Sequence, residues 1–383
     1  MKYADVVIVG GGLAGATCAL ALAAHRPQAS VVIIEREPEL GGNHTWCMHA
    51  DDVSADDLPI VAPAIAQRWD GYTVEFPDLQ RDLASPYTAV TSASLAAAVR
   101  AALAARPSFE LVTGRTAVDL AAHQVVLDDG RGFVAPLVVD ARGPARYRPE
   151  GVDLGYQKFV GLEVELARPH GLRAPILMDA TVAQIDGFRF FYVLPLAPTR
   201  LLIEDTYYAD TPTLDDSRLV AGIHAYAAQR GWTIVDVARR ERGVLPIPLT
   251  LTAPAALGDG PIVAGYQGGW FHPTTGYSFP LAVRVAALIA RGHEPGFPTA
   301  WAALAAEVQR QATFAVRLNR MMFGWFAPDR RYHAMSRFYR LPEPTIRRFY
   351  ALRTTWMDRA RTLFGRPPRG MSWRAVISGG AVP

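Results

Sequence analysis

The first 35 residues constrain this chain more than any other stretch. An apolar, β-prone run from Val6 to Val9 meets three glycines, Gly10, Gly11 and Gly12. An alanine-rich segment near Leu13 to Ala24 follows with apolar residues at i, i+3 and i+4, and then a second β-prone run from Ser30 to Glu35. Strand, turn, helix and strand in that order form a βαβ unit, which builds a parallel sheet. The turn reads Gly10-x-Gly12-x-x-Gly15. One glycine permits the tight turn, one lets the backbone approach a pyrophosphate, and one allows helix and strand to touch. Phosphates would rest on the helix N-terminus at Leu13 and Ala14, and Glu35, 20 residues after Gly15, would take a ribose hydroxyl. The same segment could be mistaken for a membrane span or a signal peptide, because Val6 to Ala24 is 19 residues without a charge. Three glycines at its middle would break such a helix. No transmembrane helix and no signal peptide are therefore expected.

Beyond this unit the chain divides by texture. A polar, irregular stretch runs from about Asp51 to Pro86, then a helix from about Ser92 to Ala105, then short β-prone runs ending at Ala141. Pro144 to Gly151 reads as a linker. From Gly155 alternating strands take over, with Phe188 to Leu194 and Arg200 to Tyr207 joined by a proline-containing turn that predicts an antiparallel hairpin. A helix near Leu214 to Arg230 and a strand from Val244 to Leu251 close this middle part. The expected fold class is α/β, with residues 1–150 as a dinucleotide-binding domain, 151–257 as a β-rich substrate domain, 258–300 as a return to the first domain, and 301–383 as a basic helical tail. Cys18 and Cys47 are the only cysteines and form no CxxC or Cys/His cluster, so neither a disulfide framework nor a metal site is expected.

Three features resemble the FAD proteins with the glutathione-reductase type of Rossmann domain. They are Glu35-Arg36 followed by Gly41-Gly42, the strand and turn from Leu137 through Asp140 to Gly143, and Gly265 to Gly276 leading into a helix. FAD rather than NAD is the implied cofactor, and no second Gly-x-Gly-x-x-Gly unit offers an NAD(P)H domain. Many relatives, aromatic hydroxylases among them, carry Gly-Asp-Ala where this chain reads Ala264-Gly265-Tyr266, which argues against a monooxygenase. Thr274, Thr275 and Gly276 precede a helix and would bring backbone N–H groups near the flavin or pyrophosphate.

The run from Arg200 to Thr206 holds adjacent carboxylates in an apolar strand. Alternation puts Leu202, Glu204 and Thr206 on one face and Ile203 and Asp205 on the other, so only one acid can look into a given cavity. A carboxyl group against apolar walls keeps its proton longer, which suits a general acid. Two acids on a solvated edge strand are the alternative reading of the spacing alone.

Five stretches together resemble the bacterial lycopene β-cyclase family: Gly41-Gly-Asn-His-Thr-Trp46, Met178-Asp-Ala180, Leu202-Ile-Glu-Asp-Thr-Tyr207, Phe271-His-Pro-Thr-Thr-Gly-Tyr-Ser278 and Arg317-Leu-Asn-Arg-Met-Met-Phe323. The resemblance covers nearly the whole chain, in order. It implies reduced FAD held non-covalently, with NAD(P)H as an indirect electron source, and conversion of the acyclic ends of lycopene or a related carotene to β-ionone rings. It also implies Glu204 as the catalytic acid, peripheral residence on the cytoplasmic side of the inner membrane, and possible association with other carotenoid enzymes. Phe188, Phe190 and Tyr192 share a strand face that would line a polyene tunnel or simply be core. Rival readings are a prenyl-chain reductase, a hydroxylase, or a non-enzymatic carotenoid carrier.

A net charge of +3 conceals a division. From Trp301 onward there are 15 arginines, no lysine and 4 acids, a net +11, which leaves −8 for residues 1–300. Arginines interleaved with Trp325, Phe326, Tyr332, Phe338, Tyr350, Trp356 and Trp373 suit an anionic lipid surface, with Met321 to Phe326 as the expected point of shallow insertion. A helical cap whose arginines pair with the acidic front explains the charge equally well. No nucleic-acid module is present, so nucleic acid is not an expected partner.

Overall fold

In the computed structural model, which describes residues 1–143, 147 and 151–378, the glycine turn joins a buried strand, Val6–Val9, to a helix at Leu13–His25. Val31–Glu35 then returns parallel to the first strand. The resulting sheet runs in the order Ile262–Val263, Leu137–Asp140, Val6–Val9, Val31–Glu35 and Phe109–Thr113, with every pairing parallel. Both faces are covered, which is why its strands are apolar at consecutive positions rather than at alternate ones. Val6 and Ile8 face the helices, while Val7 and Val9 face a small four-stranded sheet that includes Gln124–Leu127 and Gly132–Val134. Each such side chain contributes roughly 1.5–3 kcal/mol by leaving water. The predicted linker from Pro144 to Gly151 lies, apart from Tyr147 and Gly151, outside the described residues.

The second large sheet has seven strands in the order Ile234–Pro248, Leu154–Leu166, Arg200–Ala209, Phe188–Ala197, Ile176–Asp179, Tyr72–Phe76 and Leu79–Leu83. Phe188–Ala197 and Arg200–Ala209 form the predicted antiparallel hairpin. One face of the sheet packs its Val160, Leu162, Phe191 and Ile203 against Leu219, Ile223 and Tyr226 of the helix Asp216–Gln229. The opposite face looks toward the parallel-sheet domain.

Two elements differ from expectation. The stretch from Asp51 to Pro86 is not irregular throughout. Tyr72, Val74 and Phe76 alternate inward, and their strand adds to the seven-stranded sheet by parallel pairing with Ile176–Asp179. The strand expected from Val244 begins ten residues earlier, at Ile234, because its charged first half bonds along Leu154–Leu166.

The basic part begins with a 29-residue helix, Phe297–Trp325. Met321 to Phe326 does not form an insertion point, since Met322 and Phe323 are buried in the same core as Phe188 and Tyr208, and Phe326 is buried as well. The Phe323 ring occupies the space left by Gly155, and the Arg331 guanidinium lies 4.3 Å above it. Arg331 reaches Asp210 at 2.7 Å, Arg347 reaches Asp51 at 2.6 Å and Arg340 reaches Asp78 at 3.2 Å, so part of the basic excess neutralises the acidic body. Trp356, Phe364, Trp373 and Ile377 remain exposed near the C-terminus. No helix among the described residues is long and apolar enough to cross a membrane.

Candidate active site

A cavity of about 620 Å³ opens between the parallel sheet and the seven-stranded sheet. Its first end is the glycine turn. Gly10 has φ +105°, and a Cβ there would lie 2.6 Å from the Ala141 carbonyl oxygen. A Cβ on Gly15 would lie 1.8 Å from the Gly10 oxygen, so this glycine permits the helix to touch the strand and stays behind the wall. Gly12 is different, because a Cβ there would meet nothing within 4 Å and would project into open space. No side chain caps the helix that starts at Leu13, so the positive end of its dipole is directed at the cavity. Glu35 accepts the Gly11 N–H at 2.6 Å and the Glu37 N–H at 2.9 Å, which fixes its carboxylate on the wall.

Gly10, Gly12, Leu13, Ala14, Glu35, Arg36 and Gly143 all line this end, as do Thr275 and Gly276. Besides Gly15, two candidates stand back from it. Asp140 takes both Nε and Nη2 of Arg142, at 2.8 and 2.6 Å, and leaves Ala141, Arg142 and Gly143 on the wall. Thr274 gives its hydroxyl to the Ala315 carbonyl at 3.3 Å and its N–H to His272 Nδ1 at 3.1 Å, so it shapes the loop rather than facing the cavity. His272, buried and held neutral with its pKa lowered to about 4, donates from Nε2 to the Phe349 carbonyl at 2.9 Å.

The other end is built on the seven-stranded sheet. Strand pairing places Tyr192, Glu204, Gly161 and Glu241 in one row across four strands, with side chains on the cavity side. Glu204 lines the cavity and is 7% exposed. Its Oε1 accepts the Thr206 hydroxyl at 2.6 Å. Burial, then the nearby negative charge of Glu241, pushes the Glu204 carboxyl up to about 8. Asp205 points the other way, toward the helix Asp216–Gln229, and receives Arg189 through two bonds of 2.9 and 2.7 Å. Around Glu204 the wall is aromatic: Phe159, Phe190, Tyr192 and Tyr208 face the cavity, while Phe188 is packed behind them. The Tyr192 hydroxyl donates to Cys47 Sγ at 2.9 Å and meets the Tyr87 hydroxyl at 3.2 Å.

Several wall residues were not singled out from sequence. Tyr350, counted there among possible lipid-facing aromatics, lines the cavity together with Tyr87 and Tyr277. Glu241 sits in the run Arg239-Arg240-Glu241-Arg242, which carries no strand signal of its own. It is 1% exposed. Its Oε2 takes Arg239 Nη1 at 2.6 Å and the Thr45 hydroxyl at 3.2 Å.

Comparison with known proteins bears on this arrangement. The family model described as "Lycopene cyclase protein" matches residues 5–375. The chain is similar to a lycopene beta-cyclase of Pseudescherichia vulneris, 41% identical over 98% of this chain and 97% of that one. It is also 42% identical to the lycopene beta-cyclase of a Paracoccus species, over 95% and 94% of the two chains. Among solved structures it shares its fold with a probable FAD-dependent monooxygenase from Pseudomonas aeruginosa, at TM-score 0.60 and 18% identity over 84% of this chain and 96% of that one. A flavin-dependent brominase matches at TM-score 0.64 and 15% identity, over 94% and 97%.

Proposed function

The chain belongs to the lycopene cyclase family, and on that premise we propose that it is a lycopene β-cyclase working by acid–base chemistry. It closes the ψ-end groups of lycopene into β-ionone rings without net redox change, giving γ-carotene and then β-carotene. The observation that carries this reading is a carboxyl group, Glu204, held protonated on an aromatic wall of a cavity that runs on to an uncapped glycine turn.

The glycine end fits FAD. The open space at Gly12 and the free helix start at Leu13 and Ala14 suit a pyrophosphate, and the Glu35 carboxylate, fixed by two backbone N–H groups, suits a ribose hydroxyl. Arg36, Gly143, Thr275 and Gly276 would hold the remainder from the wall, with Asp140 and Thr274 positioning the loops that do so. Bound in reduced form, with NAD(P)H as the indirect electron source, FAD would supply a negative field to the cavity.

The chain's own residues perform the proton chemistry. Glu204 transfers its proton to the terminal double bond of the ψ-end, leaving a tertiary cation. The neighbouring double bond attacks that centre, a ring C–C bond forms, and the charge moves onto the ring. A ring carbon then loses a proton to the Glu204 carboxylate, which restores the acid. Protons and electrons balance, so no reductant is consumed. Phe159, Phe190, Tyr192 and Tyr208 offer ring faces to the cation and exclude water that would trap it as an alcohol.

Exposed Trp356, Phe364, Trp373 and Ile377, together with exposed Arg366, Arg369 and Arg374, support peripheral contact with an anionic membrane, on the cytoplasmic side, where a C40 hydrocarbon and other carotenoid enzymes would be met. One assay tests the activity. Reduced, FAD-loaded protein is incubated anaerobically with lycopene, and the product is examined by chromatography, absorption and mass. A product of unchanged mass with the spectrum of a cyclic carotene is expected. A gain of oxygen or hydrogen, or unaltered lycopene, overturns the reading.

A further inference from the structure

We propose that Glu241 is the proton-sharing partner of Glu204: a fixed anion behind the cavity wall that keeps Glu204 charged with its proton and draws that proton back at the end of each cycle. The inference rests on Glu204 being the acid of the reaction and adds the residue that sets its proton affinity.

The geometry begins with Gly161. Glu204 and Glu241 lie on strands that both pair with Leu154–Leu166, and both pair at the same residue, Gly161. They are two strands apart, a distance at which side chains on a sheet face are normally separated by the side chain between them. Here there is none. A Cβ on Gly161 would lie 3.0 Å from Glu241 Cγ and 3.4 Å from Glu241 Oε1. The missing side chain is what lets the two carboxyls meet.

Their surroundings divide the roles. Glu241 Oε2 is held by Arg239, which is itself tied to Glu163 at 2.9 Å and Asn43 at 3.1 Å, and by Thr45. Glu241 Oε1 is buried and receives no hydrogen bond from any other described side chain or backbone group. A buried carboxylate oxygen without a donor is costly, and the acidic O–H of Glu204 is the group placed to satisfy it. Glu204 has the Thr206 hydroxyl, and among the described residues no cation lies within ion-pair distance of it. The ionised member of the pair is therefore Glu241, beside Arg239, and the protonated one is Glu204, which alone lines the cavity.

The other groups facing this pair do not compete for the proton. Burial lowers the pKa of His44, whose Nδ1 is 4.0 Å from Glu241 Oε1, and raises the thiol of Cys47 and the phenol of Tyr192. All three are neutral around pH 7. Asp205 lies on the opposite face against Arg189. When Glu204 gives up its proton, its carboxylate faces the cation with that of Glu241 behind it; when the ring releases a proton, the repulsion between the two carboxylates favours its return to Glu204.

The test is the high-pH limb of cyclisation, with flavin absorbance recorded on the same samples. In the native protein kcat should fall as pH rises through about 8, where Glu204 is expected to lose its proton. In Glu241→Gln the limb should move down by about one pH unit or more, with kcat near pH 7.5 reduced about threefold or more and FAD content unchanged. Glu241→Asp, which keeps the charge, should move the limb back toward its native position. A Glu241→Gln protein that binds FAD and keeps the native limb overturns the proposal. Infrared titration of the native resting protein gives a reading that needs no Glu241 variant: a protonated-carboxyl band, absent in Glu204→Gln, should persist to about pH 8. Its absence at pH 7 also overturns the proposal. If instead Glu204→Gln cyclises normally, the assignment of Glu204 fails first and the two failures are told apart.

Discussion

Glu204, the proposed acid, should weaken the folded protein as pH rises. Its carboxyl has an ordinary value of 4.5 when exposed in the unfolded chain and about 8 in the folded one. Between those values the native state binds one more proton than the unfolded state, so stability falls as pH rises. The contribution is complete below pH 4.5, declines through the interval, and levels off above about 8. A shift of this size, at 1.36 kcal/mol per pH unit, sets a ceiling of about 5 kcal/mol on the loss. Glu204→Gln has nearly the same shape and no charge to lose. It should therefore be about as stable as the native chain at pH 4.5 and more stable by about 2–5 kcal/mol at pH 9, while cyclisation is abolished. Urea unfolding of both proteins at a series of pH values, with FAD in excess throughout, measures the difference. A constant gap across the range would refute the reasoning, because it would mean that Glu204 titrates alike in both states. A larger gap at low pH would refute it with the opposite sign.

Other substitutions separate the cofactor end from the sheet. Gly10→Ala forces a side chain into positive φ against the Ala141 carbonyl, and should cost about 1–3 kcal/mol of stability together with flavin content, read by denaturation and absorbance. Gly12→Ala has room to fold and should weaken FAD binding severalfold with no change in the apoprotein's unfolding midpoint. Asp205→Asn leaves the Arg189 guanidinium without its buried partner and should destabilise by about 3–5 kcal/mol, yet leave the high-pH limb of activity within a few tenths of a unit. Replacing Trp356, Phe364 and Trp373 by serine should reduce co-flotation with anionic liposomes severalfold, without changing turnover of detergent-solubilised lycopene.

What could be read beforehand depended on how local the signal was. The βαβ unit and the hairpin from Phe188 to Ala209 were legible because periodicity, turn residues and glycines agree within a few dozen residues. Alternation also separated Glu204 from Asp205 before any contact was known. Tyr72-Thr-Val-Glu-Phe76 carried a period of two as well and pairs locally with Leu79–Leu83, but what joins this hairpin to the large sheet is Ile176–Asp179, a hundred residues away. Glu241 left no trace. A run of Arg-Arg-Glu-Arg looks like a solvated loop, and only pairing along Leu154–Leu166 turns it into a strand with one buried acid. The meaning of Gly161 was equally hidden, since a glycine within a strand signals a close approach without saying by what. Met321 to Phe326 was misread because six apolar residues look the same whether they meet lipid or the space left by Gly155.

The two adjacent acids on Arg200–Ala209 show how a sheet assigns opposite fates to the same functional group. Both are buried, and burial alone would raise both. On one face Asp205 meets Arg189, whose two bonds pull its carboxyl back toward the charged form and tie the hairpin to itself. On the other face Glu204 meets, among the polar groups of the described residues, a hydroxyl and a second carboxylate, and the cation that could have ionised it, Arg189's counterpart Arg239, is held one row away by Glu163 and Glu241. A cyclase needs an acid strong enough to protonate an alkene when aligned, yet still protonated at neutral pH. Withholding a cation from Glu204 while giving one to its partner meets both demands, because the anion that keeps the proton on Glu204 also lowers the energy of the cation formed once the proton has gone.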